Sequence, residues 1–354
     1  MNQEPLLSAL APVDIGAVRV WPPFGVAPMA GLTDSAFRRL VKREGGCGLV
    51  VSEMVSSEGI VRGGDRSLEF AGFTEEERPV AVQVFGGDPG HMAEAARVLE
   101  ARGTDIVDVN MGCPVPRVAR HEAGCSLMRD PEQAAQIVEA MVRAVCVPVT
   151  VKMRAGWSDG QVNAPELARR LAGAGAAAIT VHGRTAAQAY KGAADWDLIR
   201  RVAESVTIPV LGNGDLVEPA ALVGRMRSAG VAGVLVGRGV VRNPWLLAQA
   251  AGLAAGSGAR RPSAAEQGRF LLDYIDLLLG ERVRPAPRPG RRRQPSRPGA
   301  AIGHERWVIN KLRALVTWFS KGIEGGQRLR VAVNVAETVA ELREVIERHF
   351  AGDA

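Results

Sequence analysis

A TIM (β/α)8 barrel followed by a small C-terminal helical domain is the fold predicted by this 354-residue sequence, and three observations carry it. From Val26 to Val236, eight short apolar runs alternate with amphipathic stretches of helical length. Apolar strands alternating with helices indicate a parallel sheet buried on both faces, and eight units in about 220 residues suit a closed barrel better than a doubly wound sheet. Polar or reactive residues gather where the runs end, as expected if all the strand ends converge on one mouth. Past Leu253 the alternation stops and only helical patterns remain.

In chain order the strand candidates are Val26–Met29, Leu49–Ser52, Val80–Phe85, Ile106–Asn110, Val149–Met153, Ala178–His182, Val210–Asn213 and Gly233–Val236. Helical candidates lie between them: Asp34–Arg43, His91–Arg102, Pro131–Ala144, Ala164–Ala174, Asp195–Glu204 and Pro219–Ala229. At the strand ends stand Met29-Ala30, Ser52-Glu53, Gln83, Asn110 to Cys113, Lys152 to Arg154, His182 to Arg184, Asn213 to Asp215 and Gly237-Arg238. Polar residues end strands in any fold, but that does not explain Gln, Lys, His and Arg within or directly after otherwise apolar runs.

Residues 266–279, 304–320 and 337–350 read as helices, the last with Val339, Leu342, Val345, Ile346 and Phe350 along one face. Residues 1–254 therefore read as a catalytic barrel and 255–354 as a helical domain. Within the latter, segment 282–303 holds seven Arg, five Pro and no acid. Such a composition cannot pack a core and is expected to form a disordered basic loop. Residues 1–254 carry 26 Lys+Arg against 27 Asp+Glu (net −1), whereas residues 255–354 carry 18 against 11 (net +7). That asymmetry points to a polyanionic partner for the last hundred residues.

No apolar run reaches the roughly 18 residues that span a membrane. The opening MNQEPLLSALAPVD has no basic region followed by an apolar core, so the chain is expected in the cytoplasm, as a monomer. The four cysteines, Cys47, Cys113, Cys125 and Cys146, form no CxxC pair and have no His at metal-ligand spacing. Free thiols and no metal site are the expectation. Cys47 and Cys146, the latter in the run AVCVPV, read as small buried apolar residues.

Glycines at Gly212-Asn213-Gly214-Asp215 and Gly237-Arg238-Gly239 allow close backbone approach to a ligand after the seventh and eighth strands. Barrels often hold phosphate there, and the N–H groups with Arg238 suit one. Lys152 is placed to offer positive charge to the N1/O2 side of a reduced flavin, and Gln83 to donate and accept at the pyrimidine edge.

The stretches APMAGLTDSAFRRL (27–40), LVVSEMVSSEG (49–59), VQVFGGDP (82–89), VDVNMGCPVPRV (107–118), VKMRAGW (151–157), TVHGRT (180–185), ADWDLI (194–199), LGNGDL (211–216) and VGRGVVRNPWLL (236–247) resemble the tRNA-dihydrouridine synthases. The likeness runs in order over about residues 24–250, and the NMGCP turn sets it apart from other FMN barrels. The pattern is closest to the family's bacterial B-type branch, and the C-terminal helices are more loosely similar to its RNA-binding domain. The resemblance implies bound FMN, NADPH (or NADH) as reductant and tRNA as partner. It implies Pro28, Met29 and Ala30 against the flavin ring, with Gln83, Lys152 and His182 at its polar edge. It further implies Asn213, Gly214, Asp215, Gly237 and Arg238 around the phosphate, Cys113 as the general acid, and Asn110 and Arg184 facing the uracil or its ribose. Two departures, Ala186 where the family often has Arg and Arg242 where it often has Gly, fall near the expected RNA face.

The chemistry agrees with that assignment. Reducing the C5=C6 bond of uracil needs a hydride at C6 and a proton at C5 from the opposite side. A cysteine, ordinarily titrating near about 8.5, keeps its proton at neutral pH and serves as that acid. Two rivals remain: an FMN barrel reducing a free pyrimidine or small enone, and an inactive RNA-binding barrel. The basic C-terminal helices speak against the first, and the intact Cys113, Lys152 and His182 against the second.

Overall fold

The computed structural model describes residues 10–119, 122–281 and 300–351. Eight parallel strands close into a barrel: β1 (Phe24–Val26), β2 (Leu49–Val51), β3 (Val80–Phe85), β4 (Ile106–Met111), β5 (Val149–Arg154), β6 (Ala178–His182), β7 (Val210–Asn213) and β8 (Gly233–Val236). Each pairs with the next, and β8 returns to β1 through Val234↔Phe24 and Val236↔Val26. Four of the eight expected runs shift at a boundary. β1 starts two residues earlier than expected and ends at Val26, so Ala27–Met29 lie beyond the strand, while β2, β4 and β5 each end one residue away from the expected place. β3, β6, β7 and β8 stand as read.

Side chains alternate across each strand, so one register faces the helices and the other the barrel axis. Val80, Val82, Val107, Val109, Val149, Val151, Ile179, Val181 and Val234 pack outward into one continuous core with the surrounding helices. A second apolar cluster fills the bottom of the barrel: Leu49, Val51, Ala81, Ile106, Ala178, Leu211 and Leu235, with Val13, Ile15 and Val20. Those last three come from a hairpin, Val13–Ile15 paired with Val18–Val20, that the sequence reading did not anticipate. With the bottom plugged, only the C-terminal ends of the strands are left to build a site.

Helices Ser35–Glu44, Pro131–Ala144 and Trp196–Ser205 each begin at an Asp whose carboxylate accepts the N–H three residues on, which fixes where they start. After the barrel come helices Ala264–Gly280, Ala300–Phe319, Gly326–Val335 and Val339–Phe350. Gly326–Val335 was not expected. The expected loop 282–303 lies outside the described residues up to position 299, and from Ala300 the chain is helical. The C-terminal helices share an aromatic joint with the barrel. Phe270 packs edge-on to Phe37 at 6.2 Å, lies 5.4 Å from Trp245 and stacks on Phe319 at 6.0 Å. Phe37, Phe270 and Phe319 are each at most 2% exposed.

Cys146 corrects its expectation: it is exposed, in the turn between helix Pro131–Ala144 and β5, where its N–H donates to Glu100 Oε1 at 2.6 Å. The apolar look of AVCVPV belongs to the connection as well as to the strand. Cys47 and Cys125 are buried.

Candidate active site

Inward positions near the mouth lie side by side in register: Gln83 beside Asp108, Asp108 beside Thr150, Asn110 beside Lys152, Arg154 beside His182, and His182 beside Asn213. The register that is apolar at the bottom is polar here, and its groups bond to one another. Asp108 accepts from Thr150 Oγ1 and from Gln83 Nε2, both at 2.6 Å. Gln83 Oε1 accepts from Asn110 Nδ2 at 2.7 Å. Asn110 Oδ1 in turn accepts the N–H groups of Gly112 (3.2 Å) and Cys113 (3.0 Å). A continuous chain of hydrogen bonds therefore runs from β5 to the turn that carries Cys113.

That turn is held from its other sides as well. Arg154, 4% exposed, donates to the carbonyls of Gly112 (2.7 Å), Thr185 and Ala189 (both 3.0 Å). Cys125 N–H donates to the Cys113 carbonyl at 3.1 Å. Gly124 lies against the same carbonyl with φ +63°, and a Cβ there would come within 2.8 Å of it. The Cys113 thiol is only partly exposed, and burial pushes it above its ordinary value, with Val115 and Arg154 offsetting part. It is a protonated thiol at neutral pH.

The cations of the mouth are tuned by the same burial. Lys152 is pulled down to about 8 by desolvation and by Arg154 beside it, with Asp108 opposing, and its Nζ reaches Asn213 Oδ1 at 3.4 Å. His182 is driven down to about 2, first by burial and then by Lys152, Arg154, Arg184 and Arg238, so its ring is neutral. Asn213 Nδ2 donates to Leu235 O at 2.6 Å, which ties β7 to β8.

Arg184 is 2% exposed and its guanidinium donates to Lys191 O (3.1 Å), Gly192 O (2.6 Å) and Asp215 Oδ2 (2.8 Å). It reaches the mouth, where its Nη1 lies 3.4 Å from His182 Nε2, and its other donors hold the loop after β6. Asp215 also accepts the Ala194 N–H at 2.8 Å and lies 3.6 Å from Arg238. Burial alone would raise its pKa, but the Arg184 and Ala194 hydrogen bonds, with Arg238, bring it below the ordinary value. The carboxylate thus orients Arg184 and lies beside Arg238. The loop it helps clamp presents Tyr190, 60% exposed, with the Arg238 guanidinium 4.5 Å from its ring centre. Ala189, just before it, is left-handed at φ +50°.

The turn after β1 closes the site. Met29 N–H donates to Thr33 Oγ1 (2.9 Å), and Leu32 and Thr33 donate back to Met29 O (3.0 and 3.1 Å). Gly31 N–H donates to the buried Glu53. Pro28 and Met29 are half-buried and their neighbour Ala30 is exposed. Gly237 sits against Met29, whose sulfur would lie 3.2 Å from a Cβ at that position.

All the expected site residues thus come to one end of the barrel. Asp108, Thr150, Arg154 (named only as a strand-end residue) and Tyr190 were given no role in the site. The signal for the first three was present: each lies two residues from Asn110 or Lys152 and so on the same inward face. Ala186 is 7% exposed, its N–H donating to Gly156 O at 2.9 Å, so it lies beneath the rim and not on an outer face.

A sequence model for dihydrouridine synthases matches residues 25–282. The chain is 38% identical over 340 residues to a probable tRNA-dihydrouridine synthase of Rickettsia conorii, covering 96% of each. It is 40% identical to tRNA-dihydrouridine synthase B of Xanthomonas campestris pv. campestris, covering 75% of this chain and 80% of that one. Among solved structures it is similar in fold to histamine dehydrogenase from Rhizobium sp. 4-9 (TM-score 0.55, 14% identity, 76% of this chain and 51% of that one). Morphinone reductase is a further likeness in fold (TM-score 0.50, 12% identity, 75% and 94%). On a match that takes in the whole barrel and the start of the C-terminal helices, the chain belongs to the dihydrouridine synthase family.

Proposed function

We propose that this oxidoreductase reduces the C5=C6 bond of specific uridines in cytoplasmic tRNA, with bound FMN, NADPH (or NADH) as reductant and Cys113 as the proton donor. The observation that supports this best is the Cys113 turn. Its thiol is kept protonated by burial and its N–H is fixed by Asn110, which pairs in register with Lys152 across β4 and β5.

The donor set suits the cofactor. Lys152, held at about 8 by burial, would supply positive charge at the polar edge of the ring, and Arg238 stands half-exposed next to the glycine turns after β7 and β8. When bound, FMN supplies the hydride for C6. Pro28, Met29 and Ala30 would lie against its ring, and Gln83, Lys152 and neutral His182 at its polar edge. Asn213, Gly214, Gly237 and Arg238 would hold the phosphate, with Asp215 acting through Arg238. Asn110 holds Cys113 in place to deliver a proton to C5, and Arg184 fixes the loop that borders the substrate. The target base must leave the RNA stack to reach this mouth, while the basic C-terminal helices bind the backbone around it.

Incubating the purified protein and NADPH with unmodified tRNA and, separately, with free uracil tests this reading. Dihydrouridine formed in the tRNA alone supports it. Turnover of free uracil alone, or FAD in place of FMN, overturns it.

A further inference from the structure

The turn that presents Met29–Gly31 to the mouth is fastened by a buried charge network, and part of that network comes from the far end of the chain. Asp34 closes the turn and caps helix Ser35–Glu44, its Oδ1 accepting the Phe37 N–H at 3.0 Å. Its Oδ2 accepts from Tyr274 Oη at 2.8 Å and from Lys311 Nζ at 3.0 Å. Tyr274 lies on helix Ala264–Gly280 and Lys311 on helix Ala300–Phe319. The Lys311 side chain is 13% exposed and that of Asp34 10%. Beside them Glu53, 3% exposed, takes the Gly31 N–H, and Arg38 donates to Thr33 O at 2.8 Å while pairing with Glu77 at 2.6 Å.

Two carboxylates, Asp34 and Glu53, thus sit under one turn with little solvent to neutralise them. Burial raises the Glu53 pKa, and Lys311 is the first group opposing that rise. Lys311 itself is held above its ordinary value despite its burial, by Asp34 and Glu53. A cation at this place offsets part of the burial penalty on the carboxylate that receives the Gly31 N–H.

We propose that Lys311 is a positioning residue of the active site: from the C-terminal helices, it holds the Met29–Thr33 turn in the shape that receives the cofactor. That the turn meets a flavin rests on the function proposed above; that Lys311 fixes the turn does not. The last hundred residues then shape the active site as well as offering a surface for RNA.

Hydrogen–deuterium exchange of the purified protein, read on peptides covering 27–37, compares wild type with Lys311→Met and Lys311→Arg. The methionine variant is expected to speed exchange there by about tenfold and the arginine variant to restore most of the protection. With tRNA and FMN present, Lys311→Met should slow flavin reoxidation at saturating tRNA by about tenfold with little change in tRNA affinity. Unchanged exchange at 27–37 overturns the proposal, whether or not stability falls elsewhere. Weakened tRNA affinity with unchanged exchange would instead make Lys311 an RNA contact. Should Lys311→Met fail to fold, Tyr274→Phe removes one bond to Asp34 while keeping the ring, and the same peptides should exchange faster. A wild type that binds no FMN sinks the functional reading, yet the exchange comparison still decides the role of Lys311.

Discussion

The barrel mouth and the joint beneath the C-terminal helices are both buried, yet they are built from opposite materials. At the mouth, Gln83, Asp108, Asn110, Thr150 and Arg154 are polar groups satisfied by one another and by nearby carbonyls. At the joint, Phe37, Trp245, Phe270 and Phe319 are rings packed on rings. The difference separates rate from stability. A polar network in a low dielectric fixes geometry but contributes little net folding energy, whereas buried aromatic area stabilises and leaves the chemistry alone. Asp34 belongs to both regions, which is why Lys311 is the place where the separation should fail.

The largest effect expected is at the mouth. Cys113→Ala should leave flavin reduction by NADPH near its normal rate and slow reoxidation by tRNA by about 10²–10⁴-fold, the range for loss of a positioned general acid. Rapid-mixing absorbance of the flavin reads both half-reactions, with melting temperature as the stability control. Cys125→Ala is the control for position, since its N–H already bonds the Cys113 carbonyl. If Cys125→Ala stops reoxidation and Cys113→Ala does not, the donor is misassigned.

At the joint the signs reverse. Phe270→Ala should cost about 3–5 kcal/mol, read as a melting temperature lower by roughly 10 °C, while reoxidation at saturating tRNA, measured well below that temperature, stays within about twofold. A mutant with normal stability and slow turnover would mean that the joint is not the passive region described here. A milder test concerns segment 284–297: deleting it should weaken tRNA binding severalfold and make the affinity less dependent on salt. Unchanged affinity would assign that charge no role.

How much was legible in the sequence follows the same division. The strands were legible because apolar runs buried on both faces have few alternatives. The ends of β1, β2, β4 and β5 were not, because an apolar or polar residue at a strand end continues into the mouth without changing type. Gln83, Asn110, Lys152 and His182 stood out as polar residues in apolar runs. Asp108 was equally visible by its spacing of two from Asn110 and was passed over. The Asp34–Tyr274–Lys311 contact was not legible, because Asp34 and Tyr274 are 240 residues apart and no local pattern joins them. Cys146 misled because a turn between two apolar elements looks apolar too.

The smallest effect expected comes from His182, and it tests whether the mouth costs stability at acid pH. Its folded pKa is depressed to about 2, burial being the main cause, against an unfolded value near about 6.5. Between these values the unfolded chain binds a proton that the native chain refuses, so stability rises with pH across this window. The contribution is complete above a pH of about 6.5 and is lost as pH falls, by up to about 1.4 kcal/mol per unit. Between pH 7.5 and 5.5 the wild type should therefore lose about 1 kcal/mol through this one ring. His182→Gln keeps a polar side chain of similar reach and cannot titrate, so its denaturation midpoint should fall less over the same interval. Equal slopes for the two proteins would mean that His182 takes up its proton in the folded state, and that the mouth admits water or an anion near the ring at pH 5.5.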